Sequence, residues 1–166
     1  MIAESIRAHF QAHQKRTKCA FFWRVSLEGL VAQLVLVYVV GLFVHLPSRT
    51  DFPGTQSWQL FADIVIFAPF FETLLFQALP TMIARACGLG FWGQVMSSLV
   101  PFAAVHFTIN WGAGIFAGLI TGFYVAFTYV HWRKESFSSA LWMTVGMHAL
   151  HNFILFQIGL ITGGLK

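Results

Sequence analysis

Residues 58–84 read WQLFADIVIFAPFFETLLFQALPTMIA, and this stretch decides the fold. It exceeds the ~20 apolar residues that carry a helix across a bilayer and is far too long for a barrel strand of ~10 residues. A segment in lipid must satisfy its backbone polar groups internally, which makes helix the default. Working outward, an earlier apolar run covers Val25–Leu46 and is closed by Pro47. A polar loop, Pro47–Ser57, follows with Pro53-Gly54 as a turn signal. Downstream, Gly88-Leu89-Gly90 breaks the chain before a third run, Phe91–Ile109. Asn110-Trp111-Gly112 makes the next turn, Ala113–Trp132 the fourth run, and Arg133-Lys134-Glu135 a basic turn. Ser138 or Ser139 caps a fifth helix to about Ile161. The pattern predicts an all-α polytopic membrane helix bundle with about five transmembrane helices.

Composition agrees. Of 166 residues, 57% are hydrophobic and only 10% charged, against about 25% charged in a soluble domain. The mean hydropathy of +0.70 makes the lipid bilayer the expected partner. Two cysteines, Cys19 and Cys87, are too few for a disulfide framework. The formal charge of +4 sits in short segments between apolar runs, which reads as topology signalling and gives no case for nucleic acid.

Residues 1–24 are polar and basic. Ile2, Ile6 and Phe10 recur every four residues, which fits either an amphipathic helix on an anionic membrane face or a solvated tail. Neither the length of the charged region nor the flanking residues fit a signal peptide. With the N-terminus inside, inner segments carry Arg7, Lys15, Arg16, Lys18, Arg24, Arg85, Arg133 and Lys134, and outer segments only Arg49 and Lys166. That asymmetry predicts a cytoplasmic N-terminus and an outer C-terminus. Gly114, Gly118 and Gly122 form one smooth face of the fourth run, suited to close packing within the bundle or between copies. The oligomeric state stays open.

The polar residues inside apolar runs carry the functional signal. A charge at mid-bilayer costs roughly 3 kcal/mol on insertion scales. Glu72 sits near the middle of the second run, His106 in the third, and His148, His151 and Asn152 in the fifth. Singly, each reads as interhelical glue. Together they are best solvated by converging on one pocket. His148 and Asn152, four apart, share a helix face, as do Phe102 and His106. Pro69 and Pro101 lie just before Glu72 and His106, where proline weakens the backbone ladder.

Glu72-Thr-Leu-Leu-Phe-Gln77, Phe102-Ala-Ala-Val-His106 and His148-Ala-Leu-His-Asn152 resemble, in order and spacing, the three motifs of the CAAX protease and bacteriocin-processing family of intramembrane proteases. The family pattern is Glu-Glu-x-x-x-Arg, then Phe-x-x-x-His, then His-x-x-x-Asn/Asp. Here Thr73 replaces the second glutamate and Gln77 the arginine, a charged pair exchanged for a possible neutral hydrogen bond. The resemblance implies a transmembrane CAAX-protease-like domain over residues 25–166 behind the basic segment 1–24. It implies a glutamate-dependent endopeptidase with no cofactor. Glu72 would be the general base, His106 would help hold the water, and His148 and Asn152 would donate to the oxyanion. Thr73, Gln77, Phe102 and His151 take supporting places. The same residues offer a zinc alternative, without a His-Glu-x-x-His signature or cysteine ligands. A non-catalytic binding or immunity homologue and a small proton-coupled transporter are the competing classes. The implied substrate is a membrane-anchored protein cut near its C-terminal tail. Small members of the family resemble processors of sorting tails on prokaryotic surface proteins, which suggests the prokaryotic plasma membrane.

Overall fold

The computed structural model describes residues 2–44 and 57–161. The loop turn Pro53-Gly54, the end of the first run at Leu46, the side chains of Ile2, Ile6 and Arg7, and the topology signals Arg49 and Lys166 lie outside the described residues. Within them the chain is all helical: α1 (Ile2–Gln14), α2 (Lys18–Gly41), α3 (Trp58–Ala86), α4 (Phe91–Ile109), α5 (Trp111–Trp132) and α6 (Phe137–Ile161).

Four of these, α2, α3, α5 and α6, are long and apolar enough to cross a membrane. The fifth long helix of the bundle expected from the sequence is α4. Its 19 residues include the polar Gln94, Ser97, Ser98, His106 and Thr108. α4 still packs along the length of α5. A methyl added at Gly114 would meet the Phe107 ring, one at Gly118 the Ala103 backbone, and one at Gly122 the Phe102 ring. Contacts that descend one helix as they climb the other make the pair antiparallel. The glycine row is therefore a seam inside the bundle. α5 is the central helix: 61% of its most apolar window is buried, against 17–28% in the other three.

α3 is not a uniform α-helix. Its turns at Ala62–Phe67 and Thr73–Ala78 are π-helical. The inward row is Val65, Pro69, Thr73, Gln77 and Thr81, every fourth residue, while Ile66, Phe67, Phe71, Leu75, Leu79 and Met82 are exposed to the lipid side. On 3.6 residues per turn, a row of every fourth residue drifts about 40° per step. Two wider turns remove that drift and keep the row facing the bundle.

The basic segments meet at one end. Lys18, at the start of α2, donates to Glu135 in the α5–α6 turn, and Lys134 lies over the Phe91 ring at the start of α4. Phe21 stacks on His131 with centroids 4.9 Å apart. Here α1 docks on the bundle, with Phe10 buried against Phe123, Phe127 and Trp92. Helix association in lipid rests on such close packing more than on expulsion of water.

Candidate active site

A cavity of about 560 Å³ opens between α2, α3, α4, α5 and α6. Glu72, Phe102, His106, His148 and Asn152 all line it, so residues from three helices and all three motifs share one space. The rest of the wall is mostly apolar, including Val37, Ile64, Phe116 and Leu155.

Glu72 presents its carboxylate to His148: Oε2 lies 3.6 Å from Nε2, longer than a hydrogen bond yet close enough to become one with a small shift. The His148 ring is buried, Glu72 about a quarter exposed. Phe102 is fully buried and packs on both imidazoles, with centroids 4.4 Å from His106 and 5.8 Å from His148. It is the wedge that sets the two rings.

The His106 tautomer follows from its partner. Nδ1 lies 2.8 Å from the Phe102 carbonyl, which can only accept. Nδ1 therefore carries the proton, and in the neutral ring Nε2 keeps a free lone pair. Neutral His106 thus accepts a hydrogen at Nε2 and is unsuited to donating there.

Asn152 is already employed. Its Nδ2 donates to the Ile64 carbonyl at 2.9 Å, leaving its second amide hydrogen and its oxygen for other partners. His151 lines a neighbouring pocket, and Thr121 and Gln33 pair with it. Thr121 Oγ1 lies 3.1 Å from His151 Nε2 and donates to Gln33 Oε1 at 2.8 Å, and His151 Nε2 also meets Gln33 Oε1. Sequence reasoning missed Gln33 and Thr121, although both line the main cavity; the signal was a lone amide inside the apolar first run.

Thr73 and Gln77 correct another expectation. Both are fully buried, but they do not bond each other, and the Thr73 hydroxyl and both Gln77 amide atoms have no hydrogen-bond partner. A zinc site would need Glu72, His106 and His148 to close around one point. Among the described residues, the three-ligand spacing of His and carboxylate groups occurs elsewhere and not at this cavity.

A family model described as type II CAAX prenyl endopeptidase Rce1-like matches residues 53–154, more than half of the chain and all three motifs. The chain belongs to that family. No curated protein and no solved structure matches it. As a member of the Rce1-like family with four described helices long and apolar enough to cross a membrane, it is a multi-pass membrane protein of the CAAX-type intramembrane endopeptidase class, acting on membrane-anchored substrate.

Proposed function

We propose that this Rce1-like protein is a glutamate-dependent endopeptidase whose general base is Glu72. The observation that carries the reading is the approach of Glu72 Oε2 to His148 Nε2, 3.6 Å apart, inside a cavity that His106 and Asn152 also line. Four polar side chains from three motifs, gathered within mostly apolar walls, provide a base and a set of donors.

In this reading a water sits between Glu72 and the lone pair of His106 Nε2. Glu72 takes its proton as the oxygen attacks the scissile carbonyl. His148 Nε2–H and the second amide hydrogen of Asn152 donate to the resulting oxyanion. Collapse of the intermediate breaks the C–N bond, and Glu72 returns the proton to the leaving amine. Preorganised donors in a low-dielectric site stabilise developing charge strongly, commonly by 10²-fold or more in rate per donor. Residues 25–166 form the protease domain, with 1–24 a basic segment ahead of it. The N-terminus is cytoplasmic in a prokaryotic plasma membrane, and the substrate is an exported protein cut near its membrane-anchored C-terminal tail. The clustering of Lys18, Lys134 and Arg133 at one end of the bundle supports that orientation.

The test is co-expression with a membrane-anchored tail substrate, followed by mass spectrometry of the released product. Glu72→Gln is expected to insert normally and to cleave at least 10²-fold more slowly. Full cleavage by Glu72→Gln would remove the mechanism. Cleavage lost from wild-type protein in strong chelator and restored by zinc, at unchanged substrate binding, would replace it with a metal-dependent one.

A further inference from the structure

Outside the cavity, the docked helix α1 brings a second cluster together. His9 and His13 are four apart on α1 and face the same way. Both point their Nε2 atoms at Glu28 of α2: His9 Nε2 is 3.0 and 2.9 Å from the two carboxylate oxygens, and His13 Nε2 is 2.8 Å from Oε2. The two imidazole nitrogens are themselves only 3.2 Å apart. Three atoms from three side chains thus form a nearly equilateral triangle with edges of 2.8, 2.9 and 3.2 Å.

We propose that His9, His13 and Glu28 bind a divalent transition-metal ion that clamps α1 to the membrane bundle. Zinc ligands at 2.0–2.1 Å in tetrahedral array stand ~3.3 Å apart, close to the edges of this triangle. A set of two imidazoles and one carboxylate suits zinc and its neighbours and does not suit calcium or magnesium. The carboxylate is oriented for the task. Tyr124 of α5 donates to Glu28 Oε1 at 3.0 Å, which steadies the carboxylate and leaves Oε2, the oxygen both histidines approach, facing the triangle. Such outer partners are a regular part of metal sites. Burial is graded: the His13 side chain is 7% exposed and Glu28 29%, whereas His9 is 53% exposed, so the ion would be held on the protein side and open to water at His9. Beneath it, Phe10 lies in an aromatic nest, with Tyr124 at 6.2 Å and Phe123 at 5.1 Å between ring centroids. Ion binding and seating of Phe10 therefore reinforce each other, and metal occupancy sets whether α1 is docked. The inference does not depend on the proteolytic reading of Glu72.

The experiment uses the full chain in detergent, incubated with zinc chloride, desalted and measured by elemental analysis. Wild-type protein is expected to retain one zinc per chain. His13→Ala and Glu28→Gln are expected to lose it, Tyr124→Phe to bind about tenfold or more weakly, and Glu72→Gln to retain it fully. X-ray absorption of the zinc-loaded wild type, which requires no variant to fold, is expected to show two imidazoles and one carboxylate at ~2.0–2.2 Å. No retained zinc in the wild type would reduce the cluster to hydrogen bonds and overturn the proposal. Equal retention by His13→Ala and Glu28→Gln, or loss in Glu72→Gln, would overturn it by placing the ion elsewhere.

Discussion

Asn152 donates through Nδ2 to the Ile64 carbonyl, 2.9 Å away on another helix, because Pro69 has no N–H to give it. The π turn Ala62–Phe67 bonds each carbonyl to the residue five ahead, as Ala68 N–H to Asp63 O shows. The next bond in that register would run from residue 69 to Ile64, and a proline there leaves the carbonyl without its partner. An unsatisfied carbonyl in a bundle core costs about 1–3 kcal/mol. Asn152 removes that cost and ties α6 to α3 eight residues before Glu72.

Pro69 and Asn152 should therefore be energetically coupled. Asn152→Ala is expected to lower thermal stability by about 1–3 kcal/mol. In a Pro69→Ala background, where residue 69 regains an N–H, the same change is expected to cost much less. Activity is expected to stay low in the double variant, because the proposed oxyanion donor is still absent. Purely additive melting temperatures across the cycle would show that the proline does not orphan the carbonyl.

The glycine seam gives a second test. A Cβ at Gly118 would lie 2.9 Å from Ala103 Cα and 3.0 Å from His106 Cβ, against backbone that cannot turn aside. A Cβ at Gly114 would lie 2.2 Å from the Phe107 ring, but that side chain is exposed and can swing away. Gly118→Ala is expected to destabilise the protein by about 1–3 kcal/mol and to depress cleavage by displacing His106. Gly114→Ala is expected to leave both within about 1 kcal/mol of wild type. Cleavage assays beside detergent melting curves separate the two. Equal behaviour would mean that the seam is looser than the contacts imply.

Much of this arrangement was legible in the sequence. Hydrophobic runs located the helices, and the cost of burying Glu72, His106, His148 and Asn152 singly predicted their convergence on one cavity. The glycine row announced a close helix contact, though not which helix would fill it. What escaped was of two kinds. Reading α3 with a uniform 3.6-residue period hid the π turns, and so left Ile64 unnoticed. Pairings across long sequence separations, such as Gln33 with Thr121 and His151, leave no periodic trace. The same limit concealed Glu28, one carboxylate in a basic-flanked run, as the meeting point of His9 and His13.

Thr73 and Gln77 invite a charge-restoring test. The family pattern has a glutamate and an arginine at these places, and here both side chains are buried without partners. Gln77→Arg alone would bury an unpaired charge, at an expected cost of about 3–5 kcal/mol. Adding Thr73→Glu is expected to recover most of that loss, measured as yield and melting temperature of detergent-purified protein. No recovery in the double variant would mean that the two side chains do not share a common space.

The Lys18–Glu135 pair predicts a pH response at the basic end. The lysine beside it, with Ser139 also donating, holds the Glu135 carboxyl below the ordinary carboxylate range. A depressed folded-state value adds stability above the unfolded value, and this is lost as pH falls through the folded one. Glu135 is fully exposed, so the effect is small and salt-sensitive. Melting curves from pH 6 downward are expected to fall slightly less steeply for Glu135→Gln than for wild type, with the difference vanishing in high salt. Identical slopes at low salt would show that the pair contributes nothing.

His148 and His151 are near neighbours on α6 and are expected to fail in different ways. His148 borders Glu72 in the main cavity, whereas His151 is held by Thr121 and Gln33. His148→Ala is expected to reduce the cleavage rate by 10²-fold or more, with insertion preserved. His151→Ala leaves two buried polar groups short of a partner, so its expected effect is a loss of about 1–3 kcal/mol in stability with a smaller loss of rate. Gln33→Leu is expected to mimic His151→Ala, because it breaks the same network from α2. The decisive measurement is cleavage rate normalised to folded protein across the three variants. Should His151→Ala abolish cleavage while its melting curve stays at the wild-type position, the catalytic centre would have to be redrawn around the Gln33–Thr121–His151 group.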